Sequence, residues 1–288
     1  MAISNFIPTI WSENLYHELD KQYIGVKNCN REFEGDIREK GSSVKICGVG
    51  SVSVFDYTKN QNMSAPQALS DTACTLTINK AKGFHFQIDD IDRAQSTPKL
   101  MGEAMRVAAN ALTDAADKYV YSMYSQAGAT ITEAAVTKDN IIGLIIDART
   151  KLMENNVSGS REVVVEVSPA IAALIMKAKA ELATNNREVL EDGCIGSIGG
   201  CKIYVSNNIY QIQDTSAKKI FHKCLVRTKR AVAFAEQLSE IDAYRPEMRF
   251  ADAVKGLHLY GAKVVYPSEM VLLDLGTAMP AAAEEPDV

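Results

Sequence analysis

The chain is poor in the features that announce most chemistries. Its apolar runs, such as Ile141-Ile142 and Ala170–Met176, fall far short of the roughly 20 residues that span a bilayer as a helix, so no membrane segment is expected. The opening stretch MAISNFIPTIWSENLY lacks the basic start, apolar block and small-residue cleavage site of a secretory signal, and a cytoplasmic protein is expected. Cysteine is present but unclustered: Cys29, Cys47, Cys74, Cys194, Cys201 and Cys224 show none of the short paired spacings of zinc sites and read as reduced, mostly buried thiols. Excess basic charge is missing, with a net charge of -5 and a pI of about 5.5, which excludes tight sequence-independent gripping of nucleic acid. The four histidines, His17, His85, His222 and His258, lie beside no Ser or Cys nucleophile motif. Three of them, His85, His222 and His258, stand in strand patterns and read as structural.

What remains is an ordinary folded chain: 288 residues at 47% hydrophobic and 23% charged can build a core and two subdomains. After Pro8, Ile10, Leu15 and Leu19 sketch one short amphipathic helix within residues 1–32. From Phe33 to Ile88 the period changes to two, with Val44 and Ile46, Val52 and Val54, Leu76 and Ile78, then Phe84, Phe86 and Ile88. The polar stretch 56–73 between them marks the tip of a long hairpin. Ser96 or Thr97 then caps a helix with Pro98 in its first turn, and apolar residues recur at helical spacing to near Gly128. Twenty-eight such residues would measure about 40 Å. A second helix is expected over about 138–154, stopping at Asn155-Asn156. A buried strand, REVVVEV, follows, and a third helix starts at Ser168-Pro169. The glycine-rich run at Gly193, Gly196, Gly199 and Gly200 reads as a flexible connection, RTKR at 227–230 as a solvated turn, and 250–273 as one long strand pattern.

Two groups invite a chemical reading. Asp89, Asp90 and Asp92 could hold a hard cation, yet they lack the glycine and distal Glu of a calcium loop and precede a helix N-terminus, where negative charge is favoured in any case. A structural acidic turn is expected. GCIGSIGG enters a strand, whereas a phosphate loop follows a strand and opens a helix. No cofactor and no metal are expected, and no catalytic residue is assigned. The hairpin's alternating face, Val44, Ile46, Val52, Val54, Leu76 and Ile78, exceeds what one helix could cover and is expected to contact a neighbouring subunit.

The succession FHFQIDDIDRAQS before a Pro-started helix, and FADAVKGLHLYGAKVVYP near the C-terminus, resemble major capsid proteins of tailed bacteriophages. That resemblance implies an α+β fold of the Hong Kong 97 type, with an N-terminal arm (1–32), an extended β-hairpin loop (33–90) and a peripheral domain with a long spine helix (91–159). It further implies an axial domain (160–240), a return strand of the peripheral domain (241–275) and a disordered tail (276–288). In the return strand, Leu257 and Leu259 share one face and Tyr260 takes the other. Gly256 and Gly261 leave room for close backbone approach, and Pro267 stops the ladder. The implied function is structural: hexamers and pentamers in an icosahedral head shell, assembled in the bacterial host cytoplasm, with packaged double-stranded DNA contacted weakly. A separate scaffolding protein and a portal are the implied partners, because no fused scaffolding segment is evident; a covalent, Lys-Asn cross-linked shell is not expected, although Lys59 and Asn60 sit at the hairpin tip. The alternatives are the shell of a bacterial nanocompartment and a soluble α/β enzyme using the three aspartates with a metal.

Overall fold

The structure, a computed structural model, describes residues 23–33, 43–49, 56, 59, 62, 71–89, 100–181, 194–248 and 250–279. Among these, β1 (Ser43–Val49) and β2 (Asp71–Thr77) pair antiparallel from Ser43↔Thr77 to Val49↔Asp71, forming the base of the expected hairpin. β3 is Lys80–Asp89. α1 (Leu100–Tyr121) buries Met105, Ala109, Leu112, Ala116 and Val120 at three- and four-residue spacing. It is shorter than the sequence implied: after 22 residues, about 33 Å, the chain tightens into a 3₁₀ turn at Ser122–Gln126. The cause lies just beyond, where the Gly128 amide donates to Pro267 O at 2.9 Å and a Cβ on Gly128 would stand 2.5 Å from that oxygen.

β4 (Ala129–Glu133), α2 (Ile141–Glu154), β5 (Val163–Val167) and α3 (Pro169–Glu181) follow. α2 ends as its sequence implied. Asn156 takes φ 61°, the Val157 amide bonds Leu152 O at 3.1 Å and the Asn156 amide bonds Met153 O at 2.9 Å, a Schellman closure with Leu152 and Val157 sharing one core. β6 (Cys194–Ile198) and β7 (Cys201–Val205) correct the glycine-rich connection: its second half is a hairpin, with Gly199 and Gly200 at φ 56° and 78° in the turn. Positive φ at both central residues gives the twist that matches flanking strands, and glycine adopts it freely. β8 (Gln211–Asp214), β9 (Lys219–Thr228), β10 (Val232–Tyr244), β11 (Ala251–Val264) and β12 (Met270–Ala278) complete the order.

Two larger sheets organise these strands. The first, seven-stranded, runs β4-β12-β9-β5-β7-β6 with β8 on β9. Its alternation is strict: Val163, Val165, Val167, Cys224, Val226, Val271 and Leu273 face α2 and α3, while Leu225, Met270 and Leu272 face α1. The second, β10-β11-β3, carries α1 on one face through Phe234, Val254 and Tyr260, and the hairpin base on the other through Ala233, Ala235 and Leu259. Thus 250–273 is not one strand. β11 serves the second sheet, a 3₁₀ turn at Pro267–Glu269 intervenes, and β12 crosses into the first, running on through Gly276 to Ala278 where a disordered tail was expected. Pro267 lacks the amide a continuous ladder would need.

Candidate functional site

Three buried carboxylates from three separate elements converge on one short segment, Tyr23–Arg31. Glu166 of β5 and Arg227 of β9 lie on the same face of adjacent antiparallel strands, because Arg227 opposes Val164 and Glu166 stands two residues further along. Both side chains are 0% exposed. The guanidinium donates through Nε and Nη2 to the two carboxylate oxygens, each at 2.9 Å, and through Nη1 and Nη2 to the carbonyls of Asn28 and Gly25, each at 2.8 Å. Asn28 Nδ2 donates to Glu166 Oε1 at 3.1 Å. The second Nη1 hydrogen faces Cys29 Sγ at 3.5 Å, so all five donors of the fork are directed at acceptors, the geometry for which Arg is suited.

Asp117 of α1 supplies the second carboxylate. It accepts the amides of Ile24 at 3.1 Å and Val26 at 3.0 Å. Gly25 between them is required by space, since a Cβ would meet the Tyr121 ring at 3.0 Å and Asp117 Oδ1 at 3.2 Å. Burial pushes the Asp117 carboxyl up to about 6, against the lowering effect of these amides, with nearby Glu166 raising it further. The third carboxylate, Glu236 of β10, accepts Tyr23 Oη at 2.7 Å and Arg31 Nη2 at 2.5 Å, and lies 3.0 Å from His258 Nε2. Burial pushes its carboxyl up, but the hydrogen bond with His258 and the charge of Arg31 outweigh that and hold it below the usual range. Cys29 lies in the same segment, its thiol pushed up to about 11 by burial, and burial likewise takes Cys224 to about 12. Such protonated, enclosed thiols are poor nucleophiles.

This node was missed from sequence, and Arg227 corrects an expectation outright. RTKR was taken as a solvated turn, yet only Lys229 and Arg230 lie at the turn, where Lys229 pairs with Glu162 at 3.1 Å and Arg230 lies 4.7 Å over the Tyr266 ring. Arg227 points inward from the last turn of the ladder. The signal that could have found the node is an acid inside an apolar run: Glu166 in VVVEV and Glu236 in VAFAEQ.

The hairpin face divides. Leu76 and Ile78 are 0% and 2% exposed within their own chain, packed on Ala233, Ala235 and Leu259. For these two the expected neighbour contact is corrected, since the second sheet already covers them. Val44 and Ile46 are partly buried beside the same cluster, while Val52 and Val54 lie outside the described residues. Gly261 makes this docking feasible: a Cβ there would stand 2.3 Å from Thr77 O. Gly256 similarly lies under the Phe84 ring, its register partner. Leu257 and Leu259 share the hairpin side and Tyr260 the α1 side, where its ring meets Tyr119. Asp89 closes β3, and Asp90 and Asp92 lie outside the described residues. The described histidines are scattered: His258 in the node, His222 bonded to Thr277 with its imidazole lowered by burial, and His85 on the surface beside Tyr244.

Two surface features stand outside the node. A cleft of about 660 Å³ is lined by Arg31, Phe33, Lys45, Ile46, Arg230 and Tyr266, among others. The turn between β10 and β11 exposes Met248 at 97% and Phe250 at 80%, at the far end of the second sheet's longest hairpin. Among the described residues no group of His, Cys, Asp and Glu is arranged to hold a metal.

A family model described as phage capsid protein matches residues 73–273, well over half of the chain. The chain belongs to the phage capsid protein family. The matched span runs from within β2 to the first four residues of β12, so it takes in nearly all of both sheets, α1 and all three carboxylates of the node. A solved structure from Mycobacterium phage Che8 is 29% identical, covers 88% of this chain and 91% of its own, and superposes with a TM-score of 0.71. The capsid structure of the cyanophage P-SCSP1u is 15% identical, covers 87% of both chains and gives 0.68. A virus-like particle from Pyrococcus furiosus, 11% identical, covers 94% of this chain and 100% of its own and gives 0.57. The last two show the fold alone. No curated protein matches. The protein is a structural capsid protein with the Hong Kong 97-type α+β fold, a component of the virion shell.

Proposed function

We propose that many copies of this chain assemble into a closed icosahedral head, as hexamers and pentamers, around phage double-stranded DNA. The observation that carries this reading is the family match across 73–273, spanning both sheets and the helix between them. Residues 1–32 serve as the arm, the hairpin beyond its docked base as the loop reaching a neighbour, α1 as the spine of the peripheral domain, and 160–240 as the axial domain. Heterologous contacts of this kind close under symmetry. Assembly proceeds in the host cytoplasm with a scaffolding protein and a portal, and the acidic net charge of -5 fits weak contact with packaged DNA. The acidic turn at Asp89, Asp90 and Asp92 is structural.

The test is assembly of the purified full chain, alone and with a scaffolding protein from the same phage, imaged by negative stain. Closed particles of uniform size are expected. Deleting Lys59 to Ser70 is expected to leave a folded chain that no longer builds normal shells. Only monomers or dimers under both conditions would overturn the reading. The rival is a shell around cargo enzymes, and the fold likeness to the virus-like particle from Pyrococcus furiosus keeps it in play; particles isolated from infected cells containing enzyme and no DNA would favour it.

A further inference from the structure

The node centres on a segment of turns that joins the second sheet at a single bridge, Asn30↔Ala233, and is otherwise held by side chains contributed from elsewhere. We propose that Tyr23–Arg31 is a detachable pin across the seam between the two sheets, and that the charge on Asp117 sets how readily it opens. This goes beyond the shell reading and does not depend on it. The pin is gripped at four points: Arg227 with Glu166 on the first sheet, Asp117 on α1, Glu236 on the second sheet, and the β10 backbone, where the Asn30 amide donates to Val232 O at 2.8 Å and the Phe234 amide to Asn30 O at 2.9 Å. Tyr23, Val26 and Cys29 fill the core between them. Withdrawal would strip Asp117 of its amide donors, Arg227 of two carbonyl acceptors and Glu236 of Tyr23 and Arg31, though Arg227 keeps Glu166 and Glu236 keeps His258, so half-withdrawn positions are unfavourable and the pin has two states.

The two carboxylates bound to amide or phenol donors respond oppositely to pH. Around Asp117 stand Glu166 of β5, which repels it, Tyr121 on its own helix, Tyr23 and Cys29 in the pin, and Arg227, which grips the carbonyl side of the same turn. Among the described residues no cation pairs with it directly, and its affinity for a proton is raised from 3.8 to about 6 in the closed state. A raised acid binds its proton more tightly closed than open. Its contribution to closure is therefore full below the ordinary carboxylate value and is lost as pH rises through about 6. Glu236 is lowered, so its contribution is present above the ordinary value and lost as pH falls. The pin is thus tightest near the ordinary carboxylate values, at about pH 4, and loosens steadily above pH 5. If opening returns Asp117 to its ordinary value, the open fraction rises about tenfold from pH 5 to pH 7.5.

Cys29 is a native reporter, 5% exposed and hydrogen-bonded to Gly25 O. The experiment is alkylation of the full unassembled chain with a low concentration of a thiol reagent, quantified peptide by peptide. At each pH the rate is divided by that of a free peptide covering residues 26–32, which removes the reagent's own pH dependence. The expected result is a rise of about tenfold between pH 5 and pH 7.5 at Cys29, with Cys201 and Cys224, buried in the other core, unreactive throughout. Asp117→Asn is expected to flatten the profile. Tyr23→Phe is expected to raise the rate at every pH without changing its slope. A flat wild-type profile, the same rise in Asp117→Asn, or Cys201 and Cys224 reacting in step with Cys29 would each overturn the proposal, the last because it would mean global unfolding. Should Asp117→Asn fail to fold, the wild-type profile and the two control cysteines still decide.

Discussion

Replacing Arg227 by Met would remove a charge from a site with no water to take its place. The side chain makes four polar contacts at 2.8–2.9 Å, two of them to Glu166, which is itself 0% exposed. In the variant Glu166 keeps only the Asn28 amide at 3.1 Å and becomes an uncompensated buried charge, a loss of about 3–5 kcal/mol. The orphaned carbonyls of Gly25 and Asn28 add to this, at about 1–3 kcal/mol each where water cannot reach them. The sum approaches the whole stability of a typical domain, about 5–15 kcal/mol. Urea unfolding of the unassembled chain, followed by circular dichroism, should show a midpoint lowered by at least a third, or no cooperative transition. The double variant Arg227→Met with Glu166→Leu should recover several kcal/mol, because an apolar pair of similar volume carries no desolvation penalty. Arg227→Lys should fall between, retaining charge but losing the fork. A single-variant loss under about 1 kcal/mol, or a double variant as unstable as the sum of the singles, would refute the buried pair as drawn.

Leu76→Ala should destabilise the unassembled chain by about 2–5 kcal/mol, because its side chain lies in the chain's own core; a melt unchanged from wild type, with assembly lost, would return Leu76 to an intersubunit role. Gly261→Ala should push the hairpin base off the second sheet, since its Cβ would meet Thr77 O at 2.3 Å, costing about 1–3 kcal/mol. Limited proteolysis should then cut within 43–77 first, and wild-type resistance there would contradict the close approach.

Local signals carried much of the fold into the sequence. α2 with its Asn155-Asn156 stop, the Ser168-Pro169 start of α3 and the inward face of α1 were legible because each depends on residues within one or two turns. The length of α1 was not, since its end is set by Pro267, far along the chain. The break between β11 and β12 was hidden for the same reason: both halves are strand, and only pairing tells which sheet each joins. Arg227 looked like a turn residue beside Lys229 and Arg230, and its partner Glu166 lies 61 positions away. Charge in a sequence reads as surface until the opposite charge is found on the neighbouring strand.

The two segments proposed to reach neighbours leave the chain through roots of different physical character. The hairpin's root is apolar, Leu76 and Ile78 against Ala233, Ala235 and Leu259. Burial of that kind is non-directional and indifferent to pH, and it tolerates small shifts of angle while the contact area is kept. The arm's root adds to its buried Tyr23, Val26 and Cys29 a set of hydrogen bonds of fixed geometry, from Tyr23–Arg31 to Asp117, Glu166, Arg227 and Glu236. A hydrogen bond between buried groups is either made or expensively broken, so this root cannot slide. Strain carried into the chain by the loop would accordingly be absorbed as tilt, whereas strain carried by the arm would be stored until the pin lets go. With one attachment of each kind the two roots yield differently, and the arm's is the one whose threshold the ionisation of Asp117 on α1 adjusts.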